Sequence, residues 1–429
     1  MHQVRKKKQR MLELMEPDYM EKFCCTGSLC PDTCCQEWDI VIDPATCERY
    51  EKSEDPEFRR MLSRAIVHRE EQGTAGAEEV ACIRLGQGGR CLFLRNDGLC
   101  MIQRRTEERN LSETCRTYPR VIYVWNENYA ERALCVSCPA AASLILGHKG
   151  PLRFVSRPIA ASAFAGLRIT DEGKRLSEEC LPLRRELLAI LQDQGLPLLR
   201  RLQMADDFFW RAGALSGRRV DRRFHVLAQE EEAARQRLAE GTAEKMPVPS
   251  LALAEQELLR LQQILSLRLE SRSLRPAFRE QLEQAVYFWG MTERLEQESI
   301  ERYRDAQRRY AAELVPQYSQ VLENYVVNGV FKNIFVLEDE EAFYIQWFRL
   351  VLQLAVVRLL LMTAVEDADG SLPSCTEVFA IIQRTTRVIG HDSLYLRQAA
   401  AVLSGGGREA DALRDFCRRM LLERPENQG

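Results

Sequence analysis

The chain has 429 residues, of which 45% are hydrophobic and 29% charged, a composition typical of globular proteins with two or three domains. Lys and Arg number 60 against 63 Asp and Glu, so the net charge of −3 argues against nucleic-acid binding through a large excess of positive charge. The basic N-terminus has no apolar stretch behind it, which argues against a secretory signal, and we expect a cytoplasmic protein.

Residues 1–22 are polar and basic, and we interpret them as a charged leader. Residues 23–150 form a cysteine-rich module: of the 15 cysteines in the chain, 12 lie between Cys24 and Cys138. In a reducing compartment, clustered thiols indicate metal binding or redox chemistry rather than disulfides. The module has glycine-rich breaks and only short apolar segments, so we expect an irregular fold in which metal coordination replaces part of a core.

Residues 151–429 have apolar residues at three- and four-residue spacing, which predicts a multi-helix region with a possible sub-boundary near 241–249. The fold class is therefore mostly α, with an irregular metal-binding module at the N-terminus. The most apolar stretch, Phe343–Val365, contains Arg349 and Arg358 and predicts a buried helix rather than a membrane span. The predicted helices are Glu178–Gln194, Leu198–Gly213, Phe224–Ala239, Leu251–Leu269, Pro276–Gly290, Leu295–Glu323, Glu341–Val365, Ser374–Ile389 and Glu409–Leu422.

The cysteines are arranged in four groups with short internal spacings, which suit soft metals because one loop can supply several thiolates. Only Cys135 and Cys138 have the two-residue spacing of a zinc knuckle, and the adjacent pair Cys34-Cys35 fits such a knuckle poorly. The spacings favour an iron–sulfur cluster, and leave a zinc site and structural or redox thiols as alternatives. No histidine has a second histidine near it in sequence, which argues against a histidine-based metal site.

An ordered set of motifs resembles the flagellin lysine-N-methylase family. The first part of the resemblance covers the cysteine-rich module, and a further part precedes the long apolar helix. The matching segments are Phe23-x-Cys25-x4-Cys30-x-Asp32-Thr33-Cys34-Cys35-x2-Trp38, Cys91-Leu-Phe-Leu-x2-Asp97-Gly98-Leu99-Cys100, Thr114-Cys115-Arg-Thr-Tyr-Pro-Arg120, Ser137-Cys138-Pro139 and Glu323-Asn324-Tyr325-x2-Asn328.

The resemblance implies an enzyme that methylates lysine side chains on flagellin, using S-adenosylmethionine and carrying a [4Fe-4S] cluster. The cysteines that match the family pattern, and would ligate metal, are Cys25, Cys30, Cys34, Cys35, Cys91, Cys100, Cys115 and Cys138. Eight thiols exceed the needs of one four-iron cluster, so either two sites exist or some of these thiols are structural. Cys24, Cys47, Cys82 and Cys135 lie outside the pattern.

The methyl-donor site has no recognisable signature, because the chain contains no strand, glycine-rich turn and helix in succession. Arg116, Tyr118 and Arg120 surround Cys115 and are candidates for binding the cofactor carboxylate or for donating hydrogen bonds to cluster sulfur. The alternative is a packed turn with solvated arginines. Trp38 could line a lysine channel or belong to the core, and no catalytic residue is identified.

Other polar candidates have structural alternatives. Asp32 and Asp43 could accept a proton or cap turns. Residues 323–328 could form a site or a polar network linking domains. At the level of function, the alternatives to the methyltransferase are a non-enzymatic metal-binding or metal-delivery protein and a zinc-stabilised adaptor with a helical docking surface. Flagellin is the expected partner, and we expect neither nucleic-acid binding nor membrane insertion.

Overall fold

A computed structural model describes residues 10–36, 40–70, 79–164, 173–214, 229, 250–271, 274–291, 294–333, 340–368, 370–405 and 409–421. The chain divides into two compact units: Met1–Ala141 with Phe154–Ile169, and Ala142–Arg153 with Thr170–Gly429. The domain boundary expected near residue 150 stays a prediction. Most of the described residues are helical, which confirms that part of the prediction.

The first unit contains two β-sheets and short helices. Its strands are β1 Met11–Pro17, β2 Ile40–Ile42, β3 Ile66–Glu70, β4 Glu79–Ile83, β5 Arg120–Val124, β6 Tyr129–Leu134 and β7 Phe154–Ala160. Its helices are α1 Pro44–Glu51, α2 Pro56–Ala65, α3 Met101–Arg105 and α4 Glu113–Thr117, and α5 Pro139–Leu146 continues from the first unit into the second. The first unit thus differs from the expected irregular fold, because pairing between distant segments forms two ordered sheets.

Strand β1 occupies an inner position in a sheet of order β5-β6-β1-β7. It runs parallel to β6, with Glu13 opposite Tyr129, and antiparallel to β7. The structure thus differs from the expected charged leader, because Leu12 and Leu14 alternate with polar residues and point into a core. Residues 1–9 of the expected leader lie outside the described residues.

The second sheet has the order β2-β4-β3 and packs with α1 and α2 around a core that includes Ile42, Phe58 and Phe93. Both helices begin with an aspartate followed by proline, which is the expected start signal. Asp43 accepts a hydrogen bond from the Thr46 amide at 2.9 Å. This sheet and its helices support the loops that carry the cysteines.

The second unit is helical. Its helices are α6 Gly173–Leu191, α7 Leu198–Ala214, α8 Leu251–Leu269, α9 Pro276–Phe288, α10 Gln297–Arg309, α11 Val315–Gln317, α12 Ser319–Lys332, α13 Glu340–Asp367, α14 Cys375–Ile389, α15 Ser393–Ser404 and α16 Glu409–Met420. The predicted helix Leu295–Glu323 is divided, because a π-helical turn at Tyr310–Leu314 and a break at Tyr318 interrupt it. The predicted helix Phe224–Ala239 lies outside the described residues except for residue 229.

The long apolar helix α13 lies in the core of the second unit. Within the described residues, Tyr344–Asp367 is long and apolar enough to cross a membrane, but 89% of its most apolar window is buried inside the protein. Arg358 is 2% exposed and its guanidinium donates to Glu257 at 2.8 Å. This pairing compensates the charge of the buried arginine, as expected for a core helix.

Candidate metal centre

The cysteine-rich loops of the first unit are joined by backbone hydrogen bonds. The Cys91 amide donates to the Cys35 carbonyl oxygen at 3.0 Å, and Leu94 and Cys100 form an antiparallel bridge. Between these bridge residues the chain turns at Gly98, whose φ of +77° favours glycine. The backbone therefore brings the segment that begins at Cys91 against the one that carries Cys34 and Cys35.

Helix α4 carries Cys115 and is fixed at its start by two side chains. The Ser112 hydroxyl accepts from the Cys115 amide at 3.3 Å, which caps the helix. The Asp43 carboxylate, which also caps α1, accepts from the Glu113 amide at 3.0 Å. One carboxylate thus joins the starts of α1 and α4, and Asp43 has the capping role anticipated as its structural alternative.

Four thiols from these loops act on one another electrostatically, and we call Cys34, Cys91, Cys100 and Cys115 the four-thiol group. Burial raises the pKa of Cys115 to about 11, and the neighbouring Cys100 and Cys34 thiols add to the rise. Burial also raises the pKa of Cys91 to about 11, again with contributions from Cys100 and Cys115. A nearby cation would reverse this effect, since it favours thiolates.

Backbone amides lie near two of these thiols. The amides of Phe93 and Leu94 lower the pKa of Cys91, and those of Ile102 and Gln103, at the start of α3, lower the pKa of Cys100, in both cases against the effect of burial. Such donors lower a thiol pKa and stabilise a thiolate. Amide hydrogen bonds to sulfur are also one of the means by which proteins adjust metal–thiolate sites.

A second set, the three-thiol group, consists of Cys25, Cys30 and Cys138. Burial raises the pKa of Cys138 to about 11, the amides of Ala141 and Ala140 oppose the rise, and the Cys30 and Cys25 thiols add to it. Cys138 directly precedes α5. Because Cys25 is exposed, this group reaches the surface, whereas Cys91 and Cys115 of the four-thiol group lie against a core.

The remaining cysteines have separate positions. Cys35, which matches the family pattern, and Cys47, which does not, pack against the core of the second sheet. Cys82 lies in β4, and the Cys135 sulfur accepts from the Ser137 hydroxyl at 3.1 Å. Cys24 is exposed. None of these described thiols forms a disulfide.

The donor chemistry of the two groups suits a soft metal, since thiolates are soft ligands. Among the described residues, however, no three Cys, His, Asp or Glu side chains converge closely enough to enclose a metal ion. The loops bring the thiols near one another without closing them around one point. Ligation would therefore require side-chain adjustment within loops whose backbone contacts already exist.

The candidate cofactor residues around Cys115 do not form one cluster of contacts. The Tyr118 hydroxyl lies 3.1 Å from the Ser137 oxygen. The Arg120 guanidinium covers the Phe23 ring, with 4.9 Å between its carbon and the ring centroid, which fits a cation–π contact. Arg116 lies in α4. Their cofactor role stays a prediction.

Polar residues near the start of the long apolar helix form a network within the second unit. Glu323 is 1% exposed and accepts from Arg201 at 2.6 Å, and Asn324 donates to the His148 carbonyl at 3.0 Å. Tyr325 donates to Gln353. These contacts match the structural alternative in part, because the network joins helices of one unit instead of linking domains.

Trp38 lies outside the described residues.

Sequence reasoning missed that two thiols lie at helix starts, although a local signal exists for one of them. Cys138 directly precedes Pro139, and proline favours the first helical position. Cys100 directly precedes α3, and its side chain makes no capping hydrogen bond.

Comparisons with known proteins relate the chain to lysine methylases. The model of the FliB lysine N-methylase C-terminal domain matches residues 184–411, which is more than half of the chain. The lysine-N-methylase of Salmonella typhimurium is 29% identical over 154 residues, which cover 36% of this chain and 37% of that protein. The corresponding protein of Salmonella choleraesuis has the same identity and coverage.

A further relative is the flagellar biosynthetic protein FliU of Salmonella muenchen, which is 31% identical over 136 residues, covering 32% of this chain and 78% of the relative. The chain thus matches little more than a third of the length of the curated lysine-N-methylases. No solved structure matches the chain. The match of the C-terminal domain over more than half of the sequence shows that the chain belongs to the FliB lysine N-methylase family.

Proposed function

We propose that this protein N-methylates lysine side chains of flagellin in the cytoplasm, with S-adenosylmethionine as methyl donor. The observation that carries the proposal is the match to the lysine N-methylase C-terminal domain over residues 184–411. The relative named for flagellar biosynthesis supports flagellin as the substrate class.

The reaction forms one bond and breaks one. A neutral lysine amine attacks the methyl carbon of the sulfonium, the carbon–sulfur bond breaks, S-adenosylhomocysteine leaves, and the new methylammonium can lose one proton to solvent. Because free lysine has a pKa near 10.4, the site must favour the neutral amine by burial or accept its proton. In-line positioning of amine and sulfonium would supply much of the rate.

We further propose that the four-thiol group holds a [4Fe-4S] cluster. Its support is the number of thiols, their mutual electrostatic effect and the nearby amides that lower the pKa values of Cys91 and Cys100. A bound cluster would supply a redox-active, electron-rich centre that holds the loops together. The chain would contribute the thiolates and the amides that favour their charged form.

The deciding experiment combines metal analysis with a methylation assay on the full chain. Protein purified anaerobically is analysed for iron, zinc and acid-labile sulfide, and is then incubated with flagellin and S-adenosylmethionine. We expect about four irons and four sulfides per chain and a flagellin mass gain of about 14 Da per methyl group, as replacement of hydrogen by methyl requires. Cys115→Ala should lose metal, whereas the control Cys375→Ala, at an exposed cysteine of the second unit, should retain it.

Each component of the proposal has its own refutation. If flagellin gains no mass, methylation of flagellin is refuted. If the protein contains zinc without labile sulfide, the cluster is refuted and a zinc-stabilised scaffold takes its place. If Cys115→Ala retains all of its iron, the four-thiol group is not the site.

A further inference from the structure

The turn that leads into α5 brings two cysteines together. Cys135 follows β6, Cys138 directly precedes α5, and the Cys138 amide donates to the Cys135 carbonyl oxygen at 3.2 Å. A hydrogen bond between the first and fourth residues closes a turn in which the end Cα atoms lie less than about 7 Å apart. Disulfides join cysteines whose Cα atoms are about 4.4–6.8 Å apart. The backbone therefore holds this pair at a separation that a disulfide can span.

The turn is fixed by contacts with the chain that precedes β5. The Cys135 amide donates to the Pro119 carbonyl oxygen at 2.8 Å. The Ser137 hydroxyl donates to the Cys135 sulfur at 3.1 Å, and the Tyr118 hydroxyl lies 3.1 Å from the same Ser137 oxygen. These contacts hold both the backbone and the sulfur of Cys135 in place beside Cys138.

The chemistry of the pair matches a disulfide, which needs only two sulfurs. A zinc site or a four-iron cluster needs about four ligands, and among the described residues no three Cys, His, Asp or Glu side chains converge. Two cysteines separated by two residues are a common arrangement for thiol–disulfide exchange, since the second thiol displaces the partner of the first. Cys135 also lies outside the cysteine pattern of the family, so that pattern gives it no role.

We propose that Cys135 and Cys138 form a reversible disulfide, with a low-molecular-weight disulfide such as glutathione disulfide as the oxidant. The thiolate of Cys138, which is 8% exposed against 2% for Cys135, attacks one sulfur of the oxidant, breaks its S–S bond and releases one glutathione. The Cys135 thiolate then attacks the Cys138 sulfur, forms the internal bond and releases the second glutathione. The two protein thiols are oxidised, the oxidant is reduced, and the two glutathiones take up the two protons.

This redox pair goes beyond the proposed methylation. Neither cysteine belongs to the four-thiol group, so the inference does not require a metal there. Oxidation would withdraw Cys138 from the thiols that match the family pattern, and reduction would return it.

The test uses the full chain and reads out one tryptic peptide. Trypsin cleaves after Arg132 and Lys149, and the peptide 133–149 contains Cys135, Cys138 and no other cysteine. Reduced protein is equilibrated anaerobically in glutathione buffers of increasing oxidised fraction, quenched with acid, labelled with N-ethylmaleimide, digested and analysed by mass spectrometry. We expect both labels to disappear from this peptide together, and the unlabelled peptide to be lighter than the reduced one by two hydrogens.

The wild-type measurement can overturn the proposal without any variant. It does so if the peptide keeps both labels at every glutathione ratio, or if glutathione adducts or links to other peptides form in place of the internal disulfide. Cys135→Ala should abolish the internal disulfide and leave Cys138 labelled or bound to glutathione. The control Cys82→Ala, at a buried cysteine of β4 outside the family pattern, should leave the peptide as in the wild type.

A second titration tests the role of the turn. A synthetic peptide of residues 133–149 serves as the unfolded reference in the same glutathione buffers. We expect the folded chain to shift the glutathione ratio at half-oxidation about tenfold in favour of the disulfide, because the turn raises the effective concentration of one thiol at the other. An equal midpoint, or a shift toward the thiols, would show that the folded turn does not favour the bond and would refute the inference.

Discussion

Asp206 offers the sharpest test of electrostatics in the helical unit. It lies in α7, is completely buried, and its Oδ1 accepts hydrogen bonds from Tyr344 Oη and Trp347 Nε1, both at 2.6 Å. Its Oδ2 has no hydrogen-bond partner among the described residues. Burial raises the Asp206 pKa to about 7, although the two hydrogen bonds oppose the rise. Asn is the informative substitution, because it retains the accepting oxygen and cannot ionise.

The magnitude of the pH effect on stability follows from the difference between the pKa of Asp206 in the folded state and its pKa in the unfolded state. A carboxyl that titrates near 7 when folded and near 3.8 when unfolded binds more proton in the folded state. Its contribution to stability is therefore complete below the unfolded pKa and is lost as the pH rises through about 7. Between pH 5 and pH 8 the loss amounts to about 2.5 kcal/mol. Asp206→Asn removes this pH dependence.

The assay is urea unfolding of wild type and Asp206→Asn at pH 5 and pH 8. The stability of the variant relative to the wild type should rise by about 2.5 kcal/mol between the two pH values. The control is Asp305→Asn, at a side chain that is 59% exposed and pairs with surface arginines, where we expect little change with pH. A difference between Asp206→Asn and wild type that is the same at both pH values would refute the reasoning.

Three further predictions concern packing and caps. Arg358→Met leaves the buried Glu257 carboxylate without its cationic partner, although Tyr303 and Gln307 still donate to it, and should cost about 3–5 kcal/mol in urea unfolding. A cost below about 1 kcal/mol would contradict a role for the pair. Gly390→Ala places a Cβ 2.7 Å from the Gln353 oxygen and should destabilise by about 1–3 kcal/mol; an unchanged melting temperature would refute it. Asp43→Ala removes a cap shared by two helices and should lower the free energy of unfolding by about 1–2 kcal/mol. The variant should also speed thiol labelling of the reduced, metal-free chain. Unaltered labelling would argue against the link between these helices.

Helical periodicity and capping residues were sufficient to predict most helices of the second unit. Ser374 and Glu377 form a reciprocal capping box at the start of α14, where the helix was expected to begin. The division of Leu295–Glu323 was not predictable from periodicity, because the apolar spacing continues across Tyr310–Leu314. The π-helical turn there changes the hydrogen bonding without changing the type of residue.

The first unit was less predictable, because its organisation depends on pairing between distant residues. Nothing local to Met11–Pro17 indicates a parallel partner at Tyr129–Leu134. The cysteine spacings do not indicate how Cys34, Cys91, Cys100 and Cys115 are grouped. That grouping depends on backbone hydrogen bonds between loops, such as the one from Cys91 to Cys35.

The inner position of β1 also determines the order in which this unit can be completed during synthesis. Strand β1 ends at Pro17, and its antiparallel neighbour begins at Phe154, 137 residues later. At roughly 5–20 residues per second, a ribosome needs about 7 to 27 s to make that interval. All 12 cysteines of the module are made within it, before the sheet can close. The nascent thiols are therefore exposed to oxidants during translation, so growth under oxidative stress should harm newly made protein more than protein already folded.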